Sequence, residues 1–147
     1  MEDIQIVRSV DVEPSLLPGA TNEDSGWIKR IVYPPNVNPK GILMGIAEVN
    51  PGYSPHRWHS HTRDETKDHE TIYAENFEEI YYIVTGSGVV QWKSQDGSIM
   101  EREVAVGDTI FFPVGAPEHQ LLNNGTQKMV ILYFGAPPVK FIPKTHR

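Results

Sequence analysis

The chain contains no cysteine. That absence excludes a disulfide framework, thiolate metal ligands and a cysteine nucleophile. No cluster of Lys and Arg stands out, and the formal net charge is −6, so the electrostatic footprint of a nucleic-acid binder is missing. No apolar run approaches the roughly 20 residues needed to span a bilayer. The opening MEDIQIVRSV carries acids where a secretory signal carries bases, and no apolar segment follows. A soluble, cytoplasmic protein without nucleic-acid or membrane partners is the expectation. A helical period sustained over about 11–18 residues is also lacking, as are internal repeats and low-complexity tracts.

What remains is a strand-rich pattern. The 147 residues fit one domain with a sizeable core, 39% of them hydrophobic and 22% charged. Twelve glycines and twelve prolines punctuate short runs rich in Val, Ile, Tyr and Phe, as in antiparallel sandwiches and barrels. Strands are expected over residues 4–10, 27–33, 42–49, 79–85, 88–93, 99–104, 109–112, 119–122 and 128–134. Between two of them, Ser94-Gln95-Asp96-Gly97 reads as a type I′ hairpin turn. Residues 13–22 read as a loop around the outside of the barrel. Residues 62–77 (TRDETKDHETIYAENF) lack Gly and Pro and interrupt the strand pattern. They read as a surface excursion, a short helix or a lid.

Four of the six histidines, His56, His59, His61 and His69, lie within fourteen residues. On a strand, His59 and His61 point to the same face. Two neutral imidazoles facing a barrel interior each need a hydrogen-bonding solution, and a shared metal ion provides one.

These residues resemble the first motif of the cupin superfamily, G-x5-H-x-H-x(3,4)-E-x6-G. Gly52 precedes His59-Ser60-His61, and EIYYIVTG carries Glu79 and Gly86. The second motif, G-x5-P-x-G-x2-H-x3-N, is matched in GDTIFFPVGAPEHQLLN by Gly107, Pro113, Gly115, His119 and Asn123. The resemblance implies an all-β cupin barrel (a double-stranded β-helix or jelly roll) in a single domain over 1–147. Its core barrel covers about 41–134, with an N-terminal extension 1–40, an insertion 62–77 and a C-terminal tail 135–147. It also implies one divalent metal held by His59, His61, Glu79 and His119.

Three departures from the motif matter. One extra residue separates Gly52 from His59 and another separates Gly115 from His119, loop-length changes of small energetic consequence. The spacing from His61 to Glu79 is much longer than the motif allows. Glu65 stands at the short spacing, and Glu78 is the register-slipped alternative to Glu79. Glu79 is preferred because it heads an apolar strand ending in glycine.

Three imidazoles and a carboxylate suit Mn, Fe, Ni, Cu or Zn, and open coordination positions favour Fe, Mn or Ni over a closed zinc site. Tyr81 shares the face of Glu79 and is the candidate substrate-binding residue, although core packing also explains it. Trp58, Trp92 and Phe111 carry the same ambiguity. His56 reads more readily as a loop histidine than as a substrate contact. His69 and Glu65 read as part of an exposed charged run, His146 as frayed and Asn123 as structural.

The expected function is Lewis-acid chemistry, of isomerase, epimerase or lyase type, on an oxygen-rich small molecule. The polar insertion, with Arg63, Lys67 and His69, supports it. An Fe(II)-dependent dioxygenase and a non-catalytic small-molecule-binding module are the alternatives, and catalytic residues are not assignable. The resemblance further implies a homodimer, with residues 4–10 and 139–142 as candidate contacts.

Overall fold

The computed structural model describes residues 3–144; His146 lies outside them. The regular secondary structure of the described chain is almost entirely antiparallel β, and no helix in it is long and apolar enough to cross a membrane.

Eleven strands follow in chain order. They are β1 (Gly26–Val32), β2 (Leu43–Val49), β3 (Arg63–Glu65), β4 (His69–Ile72), β5 (Glu78–Thr85) and β6 (Ser87–Lys93), then β7 (Ile99–Ala105), β8 (Thr109–Phe112), β9 (His119–Leu122), β10 (Met129–Ala136) and β11 (Lys140–Pro143). Three sheets result, ordered β1-β2-β10-β5-β8, β7-β6-β9 and β11-β4-β3. The second is extended by an antiparallel bridge between His59 and His119. The first two sheets enclose the core, and the third roofs one end.

Alternation sets the inward face of the large sheet. In β5, Glu79, Tyr81 and Ile83 are buried while Glu78, Ile80, Tyr82 and Val84 are exposed. Three inward rows run across it: Ile28, Ala47, Ile131 and Ile83; Arg30, Gly45, Tyr133 and Tyr81; Leu43, Gly135, Glu79 and Phe112. The first row is plain hydrophobic core. The other two are hollowed by Gly45 and Gly135, where an added Cβ would meet the rings of Tyr133 and Phe77 respectively. Absent side chains on the sheet thus give aromatic rings from neighbouring elements room to lie across it.

Strand β1 carries a bulge, its pairing with β2 shifting between Arg30 and Val32. The amide of Asn36 donates to the carbonyls of Arg30 and Ile31, 3.0 and 3.1 Å away, satisfying backbone that the bulge withdraws from the ladder. A bulge breaks the two-residue period, so Arg30 and Tyr33, three apart, both face the interior.

Several expectations need correction. Residues 4–10 form no strand; Ile4, Ile6 and Val10 are exposed, because strand propensity without a neighbouring ladder leaves the backbone unpaired. The loop 13–22 turns inward, burying Leu17 in the core. β1 belongs to the large sheet, so the barrel begins before residue 41. The 94–97 turn has positive φ only at Gly97. It is therefore not type I′ but a turn closed by Gly97 N–H to Ser94 C=O at 3.0 Å, with Gly97 supplying the one left-handed residue. The insertion is neither helix nor exposed excursion. β3 and β4 form a hairpin around Thr66–His69, with Thr66 N–H donating to His69 C=O at 2.8 Å. β11, a candidate intersubunit segment, pairs with β4 in the same chain.

Candidate metal centre

His59 and His119 exchange reciprocal backbone hydrogen bonds of 3.1 and 3.0 Å. They form a hydrogen-bonded antiparallel pair, whose side chains share one face. His61 lies two residues beyond His59. The result brings ring nitrogens of His59, His61 and His119 within 4.8 Å of one another, all three residues buried.

Backbone carbonyls orient two of the rings. His59 Nδ1 lies 2.7 Å from Arg57 C=O and His119 Nδ1 lies 2.7 Å from Pro117 C=O. A carbonyl can only accept, so each Nδ1 carries the proton and each Nε2 keeps its lone pair. Burial, then the neighbouring histidines His56, His119 and His61, push the His59 pKa well below its ordinary value. Burial likewise lowers that of His119 to about 4. Both imidazoles are therefore neutral near pH 7, the form in which they ligate metals.

The buried Nε2 atoms of His59, His61 and His119 have no hydrogen-bond partner. Leaving such atoms unpaired costs about 1–3 kcal/mol each, a cost that coordination removes. Aromatic walls pack the cluster: Phe112 stacks on His119 at 4.2 Å, and Phe77 meets His61 edge-on at 5.0 Å. The donor set fits a divalent ion.

Of the three candidate carboxylates, only Glu79 comes beside an imidazole of the cluster, that of His61; the group of mutually close ligand atoms comprises the three histidines without it. Glu79 Oε1 lies 3.3 Å from His61 Nε2, without hydrogen-bond geometry. No Lys or Arg nitrogen of the described residues comes within 4.0 Å of it. Glu78 faces outward. Glu65 is exposed and paired with Lys144 at 2.7 Å. The extra length between His61 and Glu79 is the β3–β4 hairpin.

That hairpin also shapes the approach. A cavity of about 60 Å³ beside Glu79 is lined by Arg30, Tyr33, His69, Tyr73, Tyr81 and Tyr133, among others. It joins a cleft of about 780 Å³ between the hairpin and the 15–21 loop, and Pro18, Arg30, His56, His69 and Phe141 line both spaces. Tyr81 lines the cavity while packing at 4.8 Å against Phe112.

His56 and His69 depart from their readings. His56 is no free loop residue: its ring stacks on His59 at 3.4 Å and its Nε2 donates to Asp64 Oδ2 at 2.7 Å. Burial raises the Asp64 pKa, but the hydrogen bond and charge of His56 outweigh it and the net shift is downward. His69 is buried against Phe141, with Nδ1 3.2 Å from the Thr66 hydroxyl. Burial, then the charge of Arg30, lowers its pKa to about 4. Lys67 does reach the cleft, whereas Arg63 pairs with Glu70. Asn123 is wholly structural, its amide donating to Val49 C=O at 2.9 Å and Gln127 C=O at 2.8 Å. The sequence reading missed Arg30, Tyr33, Tyr73 and Tyr133.

No family model matches the sequence, and no curated protein matches it. Solved structures do match its fold. The polyketide cyclase RemF from Streptomyces resistomycificus aligns with a TM-score of 0.61 and 22% identity, covering 94% of this chain and 84% of that one. A predicted oxalate decarboxylase from Thermotoga maritima aligns with a TM-score of 0.61 and 21% identity, covering 90% and 98%. A Cupin 2 conserved barrel domain protein from Salinispora arenicola aligns with a TM-score of 0.54 and 18% identity, covering 92% and 88%. The chain has the cupin barrel fold.

Proposed function

We propose that the protein is a metal-dependent enzyme acting on a small, oxygen-rich molecule, with one divalent ion held by His59, His61, His119 and Glu79. The observation that carries this reading is the set of three buried Nε2 atoms without partners, two of them aimed by carbonyl-bound Nδ1–H groups. A buried carboxylate with no cationic side chain beside it completes the donor set. When bound, the ion supplies a Lewis acid that polarises a carbonyl or hydroxyl oxygen.

The protein's own groups do the rest. Phe77 and Phe112 exclude water from the imidazoles, and the stacked His56 steadies His59. Tyr33, Tyr73 and Tyr133 present phenols to the cavity, all kept protonated by pKa values raised first by burial. Protonated phenols donate hydrogen bonds to ligand oxygen, which suits isomerase, epimerase or lyase chemistry. Pairing of two copies is supported by the exposed apolar residues Ile80, Tyr82, Val84 and Phe111 on the outside of the large sheet, and sedimentation tests it.

The functional reading is tested by elemental analysis of purified protein, followed by anaerobic reconstitution with Mn, Fe or Ni. One equivalent of bound metal, with turnover of a hydroxy- or keto-compound that needs no oxygen, is the expected result. Oxygen uptake coupled to turnover with iron alone would make the protein a dioxygenase. Metal-dependent binding without product would make it a binding module. Failure to bind any divalent ion would overturn the reading.

A further inference from the structure

Arg30 occupies an unusual position. It stands on an inward row of the large sheet, in regular alternation with the buried Ile28, and it lines both the inner cavity and the outer cleft. Its guanidinium lies 4.4 Å from the centre of the Phe141 ring. No carboxylate of the described residues comes within 4.0 Å of it. A partly buried guanidinium without an anion keeps its planar fork of donors available, and that fork matches a carboxylate. The Phe141 face orients the fork without using its N–H groups.

The same row continues through Gly45 to Tyr133, whose buried hydroxyl faces the cavity beside that of Tyr33 and interacts with it. Two phenols and a guanidinium without a carboxylate partner therefore line one space. The next row carries Glu79, which lines this space as well and stands 3.3 Å from His61. At about 60 Å³ the space holds about two waters at about 30 Å³ each, so any ligand seated in it is small.

We propose that Arg30 is the carboxylate-binding residue of the site and that the substrate is a small organic acid. Arg30 holds its carboxylate at the neck of the cavity, Tyr133 donates to a further oxygen, and the reacting end points towards Glu79. This rests on the reading of the site as a metal enzyme but is separable from it. The fork is in place whether or not the imidazoles hold an ion.

The experiment is calorimetric titration of the metal-reconstituted protein with glycolate, pyruvate, malonate and inorganic phosphate, with methyl pyruvate as the uncharged control. Elemental analysis is run on every sample. At least one of the three acids should bind, with methyl pyruvate and phosphate weaker. Arg30→Met should weaken that acid about ten- to a hundredfold at unchanged metal content. Arg30→Lys keeps the charge without the fork and should recover only part of the loss. Binding of no acid, or equal binding by Arg30→Met, would overturn the proposal while leaving the metal reading intact. Arg30-dependent acid binding by protein that takes up no metal would do the reverse. Phosphate binding tighter than every acid would also overturn it, since the fork would then serve a different anion.

Discussion

The two sides of the interior are held by different means. On the imidazole side, backbone fixes the chemistry: a reciprocal pair of main-chain hydrogen bonds sets His59 against His119, and carbonyls set their tautomers. On the opposite side, long side chains do the work. Arg30 leans on Phe141, His56 leans on His59 and pairs with Asp64, and Tyr133 lies over a glycine. Backbone-fixed groups suit a demand that never varies, such as coordination geometry. Side-chain-fixed groups suit the part of a site that selects among ligands.

The comparison predicts unequal sensitivity. The largest effect is expected from His119→Ala, which removes one proposed ligand outright while leaving the main-chain pair in place. Metal affinity should fall by more than the roughly 10²-fold that changes around a ligand produce, measured by competition with a chelating dye. Glu79→Gln should weaken the metal by about 10- to 100-fold. Glu78→Gln and Glu65→Gln should change nothing in the same assay. A loss on changing Glu65 would reopen the short motif spacing.

Gly45→Ala tests the side-chain-fixed half. The new methyl meets the Tyr133 ring, and overpacking of this kind costs about 1–3 kcal/mol, read from the shift of a urea midpoint. Tyr133→Phe in the same background should leave that cost in place, since the ring, not the hydroxyl alone, is displaced.

The smallest effect concerns pH. His69 titrates near 6.5 when unfolded but near 4 in the fold. Between those values the unfolded chain binds more protons, so stability falls as pH drops from about 6.5 towards 4 and then levels off. His69→Gln should flatten that part of the curve in chelator-treated protein; an unaltered slope would assign it to other groups.

Much of this was legible in the sequence, and for a physical reason. Residues 109–112 and 119–122 are strands where strands were expected, paired with β5 and β6 respectively, so local pattern and global pairing agree. The ligands stood out because two motifs placed them at strand ends. Arg30 was passed over because a charged residue in a strand reads as outward, although it keeps the face of Ile28 by plain alternation; the bulge that follows it hid Tyr33 instead. The hairpin was hidden for another reason. Its strands are three and four residues long, and its outward residues are charged, so neither length nor hydrophobic alternation announced it. Residues 4–10 erred in the opposite direction, having strand composition without a strand to pair with.

One consequence follows from the pairing of β11 with β4. The hairpin inserted between two residues of the proposed metal site is bounded on its far side by the last strand among the described residues, and Lys144 ties the two with contacts of 2.7 Å to Glu65 and 2.8 Å to Thr66 C=O. A ribosome releasing this polypeptide would have extruded every imidazole of the centre before the segment that shelters it. Proteolytic trimming ahead of residue 140 should therefore yield a species still able to load its ion but open to bulk water, trading selectivity for access.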